Sequence, residues 1–151
     1  MSAPATSRVA LAGAARTFEV VVCVPGDEVR FPAATSLRLC VADGLRGVLP
    51  GHEPALVRVT EGELQVTHVD AGGVARSRIA TEGGLAHITP TSVLLVLRWA
   101  TIAAQREELM RRVLERAAER ATLEREAVRL SHQHERATRR ALARLQREVA
   151  R

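Results

Sequence analysis

Between Phe18 and Trp99 apolar and polar residues alternate with a period close to two, and beyond Thr101 the apolar positions return every three or four residues. The first spacing is that of a strand with two unlike faces, the second that of a helix. FEVVVCV (18–24), SLRLCVA (36–42), ALVRVT (55–60), ELQVTHV (63–69), VARSRIA (74–80) and SVLLVLR (92–98) each predict a short strand, bounded by Gly, Pro or Asp. In SLRLCVA, Leu37, Leu39 and Val41 share one face and Arg38 and Cys40 the other. In VARSRIA, Arg76 and Arg78 lie opposite Ser77 and Ile79, and in ELQVTHV, His68 has the parity of Leu64 and Val66. Such alternation marks antiparallel sheets with one wet face. Glu61-Gly62 and Asp70-Ala71-Gly72-Gly73 fit hairpin turns. The pattern predicts an N-terminal antiparallel β-sandwich over residues 17–100.

Residues 102–151 contain neither Gly nor Pro and are dominated by Ala, Leu, Arg and Glu, all good helix formers. Met110, Val113, Leu114, Ala117, Ala121 and Val128 form one stripe, and Ala141, Leu142, Leu145 and Val149 another. Continued through the gap, the first stripe meets Ser131, His132, Glu135 and Thr138, all polar. With Ser131 as an N-cap, the segment 101–151 is expected to form a C-terminal α-helical hairpin of helices over about 102–129 and 132–150. One continuous helix is the alternative, because nothing in the sequence forbids it.

Composition adds a charge asymmetry. All 22 basic residues are Arg, scattered widely enough to reflect a GC-rich genome. Residues 1–101 carry 9 Arg and 9 acids, whereas 102–151 carry 13 Arg and 8 acids, so the excess of +5 falls in the tail. The tail is therefore the segment suited to an acidic partner. Its acids are interspersed with its arginines and it has no aromatic side chain for stacking on bases, so nucleic-acid binding is not expected. Cys23 and Cys40 are expected to be buried free thiols, a disulfide being the alternative. The apolar runs Val20–Val24 and Val93–Leu97 are far too short to span a bilayer. Residues 1–16, Ala-rich and without an acid, are expected to be a disordered extension, and the protein soluble and intracellular.

The densest turn chemistry lies in Asp43–Pro54, DGLRGVLPGHEP, with an echo at ATEGGLAHITP (80–90). His52 beside Glu53 invites comparison with the first metal motif of cupins, but the second histidine position holds Pro54 and the glutamate position Arg58 or Val59. A free-standing cupin-like metal protein using His52 is the alternative function. His132 and His134 point to different faces of a helix, and His68 and His87 stand in strand contexts. The sequence has no nucleophile elbow, no Walker A loop and no dinucleotide fingerprint. No catalytic residue, cofactor or metal site is expected.

The order of these pieces resembles the epsilon subunit of F-type rotary ATP synthases. Asp43-Gly44-Leu45-Arg46-Gly47-Val48-Leu49-Pro50-Gly51-His52-Glu53-Pro54 is similar to the family's acidic/Gly turn followed by Gly-aliphatic-x-Pro-Gly-His-x-Pro. Glu82-Gly83-Gly84-Leu85 with Pro90 matches its Gly-Gly block, and Glu61-Gly62 stands where a Pro-Gly hairpin is usual. The resemblance implies a ten-stranded sandwich with a two-helix hairpin, non-catalytic, in the central stalk. Its partners would be the gamma subunit, the c-ring and the alpha and beta catalytic subunits. It would be peripheral to the membrane, on the cytoplasmic face of the bacterial inner membrane. The resemblance implies that Asp43, Gly44, Leu45 and Arg46 face the c-ring and that His52 and Glu53 lie near the stalk interface. It further implies inhibitory contacts with acidic segments of the catalytic subunits through Arg111, Arg112, Arg116 and Arg120. Some members bind ATP through an Asp three residues before an Arg-Ala pair. The pairs starting at Arg116, Arg120, Arg136 and Arg140 are preceded there by Val113, Ala117, Gln133 and Ala137, so that ATP site is not expected. The Arg-rich helix and the Arg-Ala-Leu-Ala-Arg-Leu run at 140–145 resemble the N-ATPase branch, whose rotors are often sodium-coupled.

Overall fold

The computed structural model describes residues 16–150. The expected disordered extension over 1–16 lies, apart from Arg16, outside the described residues. The chain forms two compact units that divide after Arg106.

The first unit contains nine strands among the described residues: β1 Phe18–Val24, β2 Asp27–Val41, β3 Gly44–Val48, β4 Ala55–Val59, β5 Gly62–Asp70, β6 Gly73–Thr81, β7 Gly84–Ile88, β8 Ser92–Leu97 and β9 Ala100–Ala103. They hydrogen-bond in the order β4-β7-β8-β1-β2-β5-β6-β9, with β3 also on β2. Every pair is antiparallel except β1 with β8, which is parallel and aligns Val20 with Val93. The expected antiparallel sandwich thus contains one parallel seam.

β2 is the strand on which both layers meet. Its first part pairs with β1 from Asp27 to Ala34, and its second part pairs with β3 and β5 from Ala34 to Val41. Alternate residues of the two layers interleave in one core: Val20, Val93, Leu95 and Ile88 with Leu37, Leu39, Leu64, Val66 and Ile79, all fully buried. The core is aliphatic apart from Phe18 and Phe31, as it must be in a chain with three aromatic residues of the FWY type, Trp99 being the third.

The predicted strands reappear with ends shifted by a residue or so, except that β2 begins nine residues earlier than SLRLCVA. Pro32 hid this. A proline cannot donate to a ladder, and it falls where the β1–β2 register skips from Phe31 to Ala34. β3, β7 and β9 were also hidden, two of them by glycine at the first position. β9 and the helix start correct the boundary at 100/101: the sheet continues through Ala103, and no helix begins until Arg106.

Gly84 fixes the spacing of β4, β7 and β8. It pairs with Val59 on one side and Leu97 on the other, and an added Cβ would lie 2.1 Å from the Val96 carbonyl oxygen and 2.9 Å from Leu97 Cα. Both obstacles are backbone, so a side chain cannot be accommodated by a rotamer change. Beside it, buried Thr81 donates its hydroxyl to the Trp99 carbonyl at 2.8 Å and accepts the Gly83 N–H at 3.0 Å.

The second unit is a single α-helix, α1, Arg106–Val149, 44 residues long. This corrects the expected hairpin of helices 102–129 and 132–150. Ser131-His132-Gln133-His134 are all exposed helical residues, and His132 faces Glu135 one turn on at 3.9 Å. A polar surface carries little cost in an exposed helix, and Ser, His and Gln lie within about 0.7 kcal/mol of Ala in helix propensity. Without Gly or Pro, no residue there forces a break.

Two outcomes check these points. Gly84→Ala lowers unfolding free energy by about 1–3 kcal/mol in denaturant titration, whereas Gly47→Ala, whose added Cβ meets nothing within 4 Å, changes it by less than about 0.5 kcal/mol. Spin labels at Ala118 and Leu142 lie about 36 Å apart, at about 1.5 Å per residue; a distance under about 15 Å would instead mean two antiparallel helices packed side by side.

Candidate interaction surface

Asp43, Gly44, Leu45 and Arg46 form the tip and first residues of a tight hairpin. Ala42 and Asp43 make the two-residue turn between β2 and β3, with Val41 paired to Gly44 and Leu39 to Arg46. All four are exposed, Leu45 to 66%. Asp43, Leu45 and Arg46 line a groove of about 530 Å³ together with Val57 and Arg58 of β4. Among the described residues neither Asp43 nor Arg46 has an ion-pair partner. The hairpin therefore offers an apolar tip between unlike charges.

His52 and Glu53 belong to a different place. Leu49-Pro50-Gly51-His52 is a β-turn closed by the His52 N–H on the Leu49 carbonyl at 3.1 Å. Pro50 supplies the fixed φ of its second position and Gly51, at φ 84°, the positive φ of its third, a type II turn. The Gly51 N–H bonds the Pro90 carbonyl at 2.8 Å, which ties this loop to the turn between β7 and β8. The His52 ring donates from Nδ1 to the Glu53 carbonyl at 2.7 Å, so its proton serves the loop backbone. Among the described residues no three His, Cys, Asp or Glu side chains gather in a group that could hold a metal. The cupin-like alternative thus lacks a ligand set. His68 is structural as well, tilted against Phe31 with centroids 5.0 Å apart and bonded to Ser77 at 3.0 Å.

Both cysteines are free, and half-buried rather than buried. Burial pushes the Cys23 thiol up, as does the nearby Glu28 carboxylate, and burial likewise raises Cys40. Neither is poised as a nucleophile.

The four helix arginines picked out in the sequence already have glutamates one turn away. Arg111 meets Glu115 at 3.5 Å, Arg116 meets Glu119 at 3.8 Å, Arg120 meets Glu124 at 3.9 Å, and Arg112 pairs with Glu108. Such surface pairs are worth only about 0.3–0.5 kcal/mol each, but they leave that half of the helix without net charge. Residues 102–128 carry 6 Arg and 6 Glu, and residues 129–151 carry 7 Arg and 2 Glu. The whole positive excess of the chain thus lies in residues 129–151. Arg129, Arg136, Arg140, Arg144 and Arg147 follow at helical spacing along one face, and Leu130, Ala141, Leu145 and Val149 run along the next. Among the described residues Arg129, Arg136, Arg140 and Arg144 form no ion pair. Counting charge over the tail as one block concealed this; counting it by halves exposes it.

Comparison with known proteins agrees with the sandwich. Residues 17–103, more than half the chain, match the family described as ATP synthase, Delta/Epsilon chain, beta-sandwich domain. An ATP synthase epsilon chain 2 of Ralstonia nicotianae is 36% identical over 77 residues, covering 51% of this chain and 53% of that one. An ATP synthase epsilon chain of Rhodospirillum centenum is 48% identical over 50 residues, covering 33% and 34%. The chain spans about half the length of the first relative and a third of the second. A chain in the Euglena gracilis mitochondrial ATP synthase shares the fold, with TM-score 0.51 and 22% identity over 78% of this chain and 74% of its own. By its β-sandwich, with the Pro-Gly-His turn and the Gly-Gly approach of β7 to β8, the chain belongs to the ATP synthase delta/epsilon chain family.

Proposed function

We propose that the chain is a non-catalytic central-stalk subunit of a rotary ATP synthase that moves protons or sodium ions. The observation that carries this reading is the family match over the whole sandwich, residues 17–103. The relatives, both ATP synthase epsilon chains, support it, as does the Euglena assembly, which contains F1 and the c-ring. In this reading the sandwich binds a gamma-type subunit and rests on the c-ring through Asp43, Gly44, Leu45 and Arg46, while His52 and Glu53 hold the neighbouring loop near the stalk. No helix among the described residues is long and apolar enough to cross a membrane. In this reading the subunit is peripheral, at the cytoplasmic face of a bacterial inner membrane.

α1 restrains ATP hydrolysis by meeting acidic segments of the alpha and beta catalytic subunits. Arg111, Arg112, Arg116 and Arg120 can contribute only by exchanging their glutamate partners, whereas the Arg129–Arg147 face brings charge that no intrahelical acid offsets. The second half of the helix is therefore the stronger contact.

The full chain is expected to co-purify with a gamma-type subunit, and failure to bind one would sink the reading. Deleting 107–151, which spares β9, leaves assembly intact and raises ATP hydrolysis by the assembled complex about fivefold or more, the low end of ordinary allosteric coupling. Replacing Arg129, Arg136, Arg140 and Arg144 together by Gln reproduces most of that rise; replacing Arg111, Arg112, Arg116 and Arg120 reproduces less. The reverse order would return the contact to the first half of the helix.

A further inference from the structure

The outer face of the β2-β5-β6 layer carries a second feature that the stalk reading does not use. Arg38 on β2 stands opposite Gln65 on β5, and Thr67 on β5 stands between Ser36 on β2 and Arg76 on β6. These five side chains line one groove of about 350 Å³, floored by β5 and walled by Gly47–Leu49. All five bring hydrogen-bond donors, two of them permanent guanidinium charges. Among the described residues none of the five side chains has an ion-pair or hydrogen-bond partner, and no acidic side chain lines the groove. Glu63, two residues from Gln65 along β5, is already engaged by Arg78 on β6.

We infer that this groove binds a phosphate-type oxyanion carrying two linked phosphoryl groups, such as pyrophosphate or the diphosphate of a nucleotide. Two guanidiniums, two hydroxyls and an amide call for a ligand that is rich in acceptor oxygens and more than singly negative. A lone carboxylate, with one charge and two oxygens, occupies one guanidinium and leaves the other unused. Strands lie about 4.8 Å apart, so Arg38 and Arg76 rise from strands about 10 Å apart on either side of β5. A single phosphate fits one fork; two linked phosphoryl groups reach both. All the lining residues belong to the first unit and the titration uses the chain without partner subunits, so its failure and that of the stalk reading are separable.

The test is calorimetric titration of the full chain with pyrophosphate, ADP without magnesium, and inorganic phosphate, followed by amide chemical shifts. Pyrophosphate is expected to saturate one site, shifting Ser36, Arg38, Gln65, Thr67 and Arg76, and to bind about tenfold more tightly than phosphate, as the loss of one charge-assisted bond implies. ADP binding as tightly as pyrophosphate with the same shifts assigns the site to nucleotides; ADP binding much more weakly assigns it to the free anion. Arg38→Gln and Arg76→Gln each weaken binding about tenfold or more, the double variant abolishes it, and Arg125→Gln leaves it unchanged. Arg38→Lys recovers only part, because a point charge replaces a fork. Melting curves establish that each variant is folded. The inference is overturned if pyrophosphate does not saturate below about 10 mM, if the double variant binds as before, or if only acidic peptides bind the face.

Discussion

The fold depends on one strand serving two layers. β2 gives its first half to β1 and its second half to β3 and β5, and the skip in register around Pro32 and Ala34 is where it passes between them. The two inner faces meet along that passage, and the aliphatic core fills as Leu37 and Leu39 on β2 close against the residues of β1 and β8. A β-bulge increases local twist, which is what lets one continuous strand leave one layer and enter the other. The β2–β3 hairpin that carries Asp43 to Arg46 is the far end of this same strand, so the exposed tip inherits its position from the core itself.

Much of this was legible from period alone. β1 was expected at its observed ends, and the Leu37, Leu39, Leu64, Val66 and Ile79 faces turned inward as the alternation required. What stayed hidden had local causes. Pro32 concealed the first half of β2, and glycines at 44 and 84 made two strands look like turns. Gly84 is in fact inside a three-strand ladder, where its missing side chain admits a neighbouring backbone. β9 was lost because ATIA is too short for a period and abuts helix-forming sequence.

The helix shows the opposite limit. A change in polarity at Ser131 looked like a chain reversal, but polarity sets which surface a helix presents, not where it ends. Interruption of the stripe separated two halves of different electrostatic character instead. The candidate surface was legible in the same uneven way: the turn at 43–46 was found as an exposed tip, while His52 drew attention through its chemistry and proves to be bound to its own loop. Arg129 to Arg147 were overlooked because charge had been averaged across a segment whose halves differ.

The parallel pairing of β1 with β8 also governs how the domain comes into being. Val20 is made early and Val93 late, and the seam that joins them cannot form until almost the whole sandwich has been synthesised. Pairings of such high sequence separation close slowly, because chain entropy is lost before any contact is gained. On the ribosome β1 must therefore wait with one edge open while β2 to β7 emerge. Charged residues flank that wait: Glu19, Glu28 and Arg30 form an ion-paired cluster on the β1–β2 hairpin, the kind of decoration that keeps an open edge from pairing with the wrong chain.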